Sequence, residues 1–174
     1  MVSTRFPVDV LMRRIALRNR WASERWAPLA VVPLEAETVT DPDRPTADPR
    51  LVADGPEGSV WCFTGYALEL FPSEGEGYFL NLTSPDPAVF VMWRPDESSA
   101  GPAIRPSVVT VSYNEAARML DVGEAVEPVS MPAVVRAWVE PYMHAHYQPG
   151  PRQKVRRNDP FADDARGPDR PRRR

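Results

Sequence analysis

The residues suited to acid–base or metal chemistry are few. The two histidines are His144 and His146, and Glu140 precedes His144 by four residues. On a helix this spacing places Glu140 and His144 on one face, where they could share a metal ion with a third ligand from elsewhere. Because no HExxH spacing is present, a solvated helix end explains the pair better. The sequence predicts no metal site.

Cys62, the single cysteine, is the next candidate for chemistry. It lies between Trp61 and Phe63 in an apolar, strand-like run. A nucleophilic thiol needs a nearby cation or base to lower its pKa, and the neighbouring sequence supplies neither, so we expect a buried, inert thiol. An enzyme site would then have to be assembled in one concave pocket from residues scattered along the sequence. The candidates for such a site are Glu24, Arg25, Cys62, Glu140 and His144.

The sequence contains none of the common nucleotide-binding or nucleophile motifs. GxGxxG, GxxxxGK[ST] and GxSxG patterns are absent, and Gly75 and Gly77 alternate with Glu74 and Glu76, whose charges repel phosphate. The two carboxylates could do acid–base work, but a charged hairpin tip that keeps a sheet soluble explains them better. The sequence therefore predicts no catalytic residue and no cofactor.

Charge is unevenly distributed along the chain. Residues 1–148 carry 12 basic and 20 acidic side chains, whereas residues 149–174 carry 9 basic and 4 acidic ones. Basic segments of this kind meet nucleic acid, anionic membranes or acidic proteins. The acidic body and the lack of an RNA-reading motif favour a protein partner over nucleic acid, and a contact with the acidic residues 35–57 is a further alternative. The candidate interaction residues here are Arg152, Lys154, Arg156, Arg157 and Phe161.

A second candidate interaction segment contains two tryptophans five residues apart. Trp21 and Trp26 are separated by Ala22, Ser23, Glu24 and Arg25. One tryptophan in the core and one at the sheet edge is the favoured interpretation, and an exposed binding patch is the alternative. The candidate interaction residues of this segment are Trp21, Glu24, Arg25 and Trp26.

Strands dominate the elements that must position these residues. Residues 35–58, with seven acidic residues and four prolines, are predicted to be a long surface loop. Residues 72–77 are predicted to form a hairpin turn. About six strands, spaced as in an antiparallel meander or small barrel, are predicted at residues 6–17, 26–33, 59–71, 78–82, 88–93 and 107–113.

Two helices are predicted after the strands. Ser112 and Glu115 have capping-box spacing, so a helix should begin there and end near Asp121, before Gly123. A second helix should begin near Ser130 and cover the sheet with an apolar face made of Val134, Val135, Trp138, Tyr142 and Met143.

These elements predict one mostly β (α+β) domain over residues 1–148, closed by the C-terminal helix. Residues 149–174 are too polar to order themselves and are predicted to be a disordered, basic, proline-rich tail. No stretch approaches the ~18 apolar residues of a membrane helix, and Asp9, Arg13 and Arg14 interrupt the apolar run near the N-terminus. We therefore expect a cytoplasmic protein without membrane insertion.

Several segments, in this order along the chain, resemble one protein family. They are residues 19–26 (NRWASERW), 68–70 (LEL), 78–82 (YFLNL), 129–132 (VSMP) and the basic stretch after Tyr147. The chain resembles the proteobacterial domain-of-unknown-function family 3305 from about residue 6 to residue 157.

The resemblance implies genomic proximity to molybdenum-dependent formate dehydrogenases. Some members of the family carry labels that link them to molybdenum-cofactor synthesis. A nucleotidyl transferase would carry a glycine-rich loop near its N-terminus, which this sequence lacks. The resemblance thus implies an accessory protein that contacts an oxidoreductase or a maturation factor.

Overall fold

Two antiparallel sheets make up most of the structure. The computed structural model of the protein describes residues 3–18, 20–34, 48–97 and 101–150. The first sheet has the strand order β2-β1-β4-β3, and the second has the order β6-β5-β7. The strands are β1 (Arg5–Ala16), β2 (Glu24–Pro33), β3 (Arg50–Gly55), β4 (Gly58–Glu69), β5 (Ala88–Pro95), β6 (Ile104–Thr110) and β7 (Ala125–Ser130).

Alternation along β1 decides which face of the first sheet enters the core. Val8, Val10 and Met12 are fully buried, and Val10 pairs with Val31 of β2 and Phe63 of β4. Side chains two residues apart on a strand share a face, so even-numbered residues of β1 point to the core. The strands expected at residues 6–17 and 26–33 are confirmed by β1 and β2.

The second sheet packs between the main core and a helix. Val89 and Val91 of β5 belong to the main core, while Met92 packs with Ala116 of helix α2 (Tyr113–Asp121) on the other face. The sheets are joined by the Tyr66 hydroxyl, which donates to the carbonyl of Pro106 at 2.9 Å. Burial raises the pKa of Tyr66 to about 12, so it stays a neutral donor.

The two expected helices are confirmed. The Ser112 hydroxyl accepts from the Glu115 N–H at 3.1 Å at the start of α2. Helix α3 (Ala133–His146) follows Pro132 and buries Val135, Val139, Tyr142 and Met143. Val134, which was assigned to the buried face, is half exposed because it lies one helical step, about 100°, away from Val135.

The hairpin predicted at residues 59–82 is wrong in its second half. Residues 72–74 form a short 3-10 helix, and residues 75–82 form helix α1 (Gly75–Leu82). Tyr78, Asn81 and Leu82 are buried at helical three- and four-residue spacing. The amide of Asn81 donates to the carbonyls of Ala88 and Val111 at 2.7 and 2.8 Å. These tertiary contacts override the β propensity of a short apolar run.

Two strands fall where none was predicted. β3 lies inside the expected loop of residues 35–58, of which residues 35–47 lie outside the described part of the chain. β7 contains Pro128, which is tolerated because β7 is an edge strand of its sheet. In the described residues the strands form two open sheets, so the predicted meander or barrel is corrected to a two-sheet α+β arrangement.

Candidate functional site

The connection between β1 and β2 presents a tryptophan to solvent. Its described residues, 17–18 and 20–23, are named here the hairpin end. The Leu17 N–H donates to the Ser23 carbonyl at 2.9 Å and so continues the strand pairing past Ala16. Trp21 is 84% exposed, and the Arg20 guanidinium lies 5.0 Å from its ring centre. This contact holds a large aromatic surface beside a cation.

Trp26, in contrast to Trp21, is buried and only 8% exposed. Trp26 thus takes the core position expected for one of the two tryptophans, while Trp21 is exposed at the connection between β1 and β2. Trp26 pairs across the strands with Arg14, which in turn pairs with Ser59 of β4. Arg14 has the same parity as Val8, Val10 and Met12, so a charged side chain ends a row of core residues.

Arg14, Glu24, Trp26 and Trp61 line a cleft beside the hairpin end. Residues 101–103 form its remaining wall, and its volume is ≈ 240 Å³. We name it the Trp26–Trp61 cleft. Glu24 is the first residue of β2, so the cleft adjoins the hairpin end directly.

Glu24 organises the hydrogen bonds of this cleft. One carboxylate oxygen accepts from the Trp26 indole N–H at 2.9 Å, and the other accepts from the Arg14 Nε–H at 2.5 Å. The Trp26 hydrogen bond, together with Arg14, lowers the pKa of Glu24 below its usual value, against the opposing effect of burial. Glu24 is therefore an anion at neutral pH with both oxygens engaged.

The indole N–H of Trp61 is buried and has no hydrogen-bond acceptor among the described residues. A buried donor left unpaired costs about 1–3 kcal/mol relative to a paired one. Trp61 thus combines a ring that lines the cleft with a buried polar atom that stays unpaired.

The dispersed enzyme site does not assemble. Arg25 pairs with Glu127 of β7 at 3.4 Å, while Glu24 faces the cleft. Helix α3, which carries the exposed Glu140 and His144, packs Trp138 against Phe6 at the other end of β1. Phe6 and Ala16, the β1 residue paired with Glu24, are ten residues apart and hence separated by roughly 30 Å.

Cys62 is only 5% exposed, as expected for an inert thiol. Burial, and then the nearby Asp9 carboxylate, raise the pKa of the thiol. Within the described ranges, no group of three or more His, Cys, Asp or Glu residues is placed to hold a metal ion.

The carboxylates assigned to a charged hairpin tip lie elsewhere. Glu74 accepts from the Ser112 hydroxyl at 2.5 Å and from Arg118 at 2.6 Å, so it ties the start of α1 to α2. Glu76 comes within 3.5 Å of the Asn114 amide. The expectation fails because these residues belong to a helix start instead of a strand turn.

The site predictions differ in what the structure says about them. Trp21, Glu24 and Trp26 lie at the hairpin end or cleft, whereas the side chain of Arg25 leaves the cleft for β7. Sequence reasoning missed Arg14 and Trp61 as cleft residues; the parity of Arg14 with the core residues of β1 is the signal that could have found it. The tail candidates lie outside the described residues: Arg152, Lys154, Arg156, Arg157 and Phe161.

The structure thus defines a two-sheet α+β protein with an aromatic, basic hairpin end beside a small cleft. The chain belongs to the family described as "Protein of unknown function (DUF3305)", whose model matches residues 7–156. The resemblance drawn from the sequence is thereby confirmed. Comparison with curated proteins and with solved structures gave no match. None of the helices in the described part of the chain is long and apolar enough to cross a membrane.

Proposed function

We propose that this protein is a non-enzymatic accessory protein that binds a protein partner through its hairpin end. The observation that carries the proposal is the exposure of Trp21 with Arg20 stacked against it. Tryptophan and arginine are enriched among the residues that dominate binding energy at protein interfaces. A solvent-exposed tryptophan contributes nothing to a core, so its burial against a partner is a net gain of apolar contact.

The charge of the hairpin end indicates an acidic partner. Its described residues include exposed Arg18 and Arg20 and no acidic side chain. The nearest carboxylate along the chain, Glu24, already accepts two hydrogen bonds. A partner surface of opposite charge would be attracted and oriented by this basic end, which raises the association rate.

The strands below the hairpin end support it as a preformed binding element. β1 and β2 stay paired from Ala16 and Glu24 down to Val8 and Pro33. The Arg14–Glu24 ion pair and the Trp26 indole tie the two strands together at the level of the cleft. A preordered element loses less conformational freedom on binding than a free loop does.

The family resemblance suggests which partner to test. Members are expected beside genes of molybdenum-dependent formate dehydrogenases, so we propose such an enzyme, or a factor that matures it, as the partner. The accessory protein would bind the oxidoreductase without contributing a catalytic residue. A cytoplasmic encounter with the enzyme is part of this proposal.

Site-specific photo-crosslinking tests the proposal. The photoreactive residue p-benzoylphenylalanine replaces Ala22, the exposed neighbour of Trp21, in one variant and Val122 in a control, because Val122 is 78% exposed at the end of α2. With purified molybdenum-dependent formate dehydrogenase and, separately, its maturation factors, we expect a crosslink to one of them from position 22 and not from position 122. Equal crosslinking from both positions, or none from position 22, would contradict the proposal.

Nucleic-acid binding is the second candidate function. Its supporting observation is the same exposed indole face, on which a base can stack while Arg18 and Arg20 meet phosphate. An electrophoretic shift of single-stranded RNA that weakens steeply with salt and disappears in Trp21→Ala would favour this function. No shift at low salt would exclude it.

A further inference from the structure

Most polar side-chain groups of the Trp26–Trp61 cleft are hydrogen-bonded to one another, and the outer edge of the Arg14 guanidinium is the exception. Both oxygens of Glu24 and the indole N–H of Trp26 are already engaged with each other and with Arg14. Arg14 uses its Nε–H for Glu24, and its Nη groups make no hydrogen bond to the described residues. The Arg14 Nη groups are therefore the donors that a ligand can reach, beside the Glu24 carboxylate that already binds the Nε–H.

The charge and shape of the cleft restrict the kinds of ligand that it can bind. The Arg14 side chain is 49% exposed, so the outer edge of its guanidinium can be reached from solvent. Two parallel N–H groups of arginine match the two oxygens of a carboxylate. The tryptophan rings beside it suit the aliphatic stem of the same ligand. A volume of ≈ 240 Å³ is ample for a carboxylate side chain.

We infer that the Trp26–Trp61 cleft binds the side-chain carboxylate of an acidic residue on the protein partner, with Arg14 as the residue that recognises it. The inference rests on the proposed function and adds the chemistry of the contact. The carboxylate would occupy the guanidinium edge that Glu24 leaves free, while Trp21 covers the partner surface next to it. Arg14 would then sit between two carboxylates, one from its own chain and one from the partner.

Indole resonances provide the test, because each of the five tryptophans contributes one indole N–H signal to a nitrogen–proton correlation spectrum. The probe is N-acetyl-glutamate amide, which carries one side-chain carboxylate, and N-acetyl-glutamine amide is the uncharged control. We expect a saturable shift of the Trp26 and Trp61 signals with the glutamate probe and none with the glutamine probe. The dissociation constant should lie in the millimolar range expected of a single contact.

Arg14 variants decide whether the guanidinium is responsible. Arg14→Gln should abolish the shift, and Arg14→Lys should weaken it at least threefold because lysine lacks the paired N–H groups. Unchanged positions of the Trp93 and Trp138 signals would show that both variants are folded. A shift of the same size in Arg14→Gln, or no shift in the native protein, would overturn the inference.

Partner binding separates this inference from the proposed function. Arg14→Gln should weaken binding to the crosslinked partner at least fivefold, and Trp21→Ala should weaken it without altering the probe-induced shifts in the cleft. If Arg14→Gln binds the partner as tightly as the native protein while Trp21→Ala does not, the cleft assignment fails and the proposed function stands. If neither variant weakens binding, both fail.

Discussion

At the scale of single residues, Glu24 holds the candidate site together. Its carboxylate joins the Arg14 guanidinium of β1 to the Trp26 indole of β2, and its pKa is lowered by these partners. A group with a lowered pKa in the folded state stabilises the protein above its unfolded pKa, near 4.5. That contribution is lost as the pH falls through the folded pKa.

Glu24→Gln should reveal this dependence. We expect the variant to lower the free energy of unfolding at pH 7 by less than about 1 kcal/mol, as is usual for partly exposed ion pairs. The difference from the native protein should shrink below pH 4.5, where the native carboxylate begins to be protonated in the unfolded chain. Urea unfolding at pH 7 and at stepwise lower pH measures this difference in the free energy of unfolding. The matched control is Glu57→Gln, which replaces an exposed glutamate. A difference that stays constant with falling pH would contradict the assignment of the ion pair.

At the scale of elements, one buried hydroxyl connects two helices. Ser112 caps α2 by accepting from the Glu115 N–H, and it donates to Glu74 next to the start of α1. Gly77 of α1 lies so close that a Cβ there would come within 2.2 Å of the Ser112 oxygen. The capping serine therefore fixes how closely α1 approaches α2.

Ser112→Ala should lower the free energy of unfolding by about 1–2 kcal/mol, the range for loss of a helix N-cap. The exposed Ser107→Ala in β6 provides the control and should change it by less than about 0.5 kcal/mol. Chemical denaturation followed by circular dichroism compares the two variants. Equal effects of both substitutions would mean that the cap and the Glu74 contact contribute nothing.

The elements also show what could be predicted from sequence. Alternation of apolar residues located β1 and β2, and the Ser112–Glu115 spacing located the start of α2, because both signals are local. Helix α1 was mistaken for a strand because its helical pattern depends on burying Asn81 against β5 and Val111. Strand β3 was not predicted because all of its residues are exposed, so its sequence lacks the alternation of apolar and polar residues that indicates a strand.

The candidate site also has a part that the sequence could indicate and a part that it could not. The sequence indicated that one of Trp21 and Trp26 belongs to the core, but it did not say which one and it did not indicate the cleft. Arg14 and Trp61 meet there only through the register of three strands, in which Arg14 pairs with Trp26 and Met12 pairs with Trp61. A register of this kind is set by long-range pairing and is not readable from one segment.

At the scale of the whole molecule, the two sheets form a scaffold that carries the hairpin end at one extreme of its longest strands. Helix α3 covers the opposite end through Trp138 and Phe6. The basic hairpin end, the Trp26–Trp61 cleft and the exposed indole thus lie together on one end of the first sheet. This grouping is the basis for treating them as one binding surface for an acidic protein.

The affinity of Trp21→Ala for the partner identified by crosslinking tests the central claim most directly. Biolayer interferometry would compare the native protein, Trp21→Ala and the control Leu120→Ala, whose leucine is 54% exposed on α2. Trp21→Ala should raise the dissociation constant at least tenfold, equivalent to about 1.4 kcal/mol, while Leu120→Ala stays within twofold of the native value. Native affinity in Trp21→Ala would contradict the assignment of the hairpin end as the binding surface.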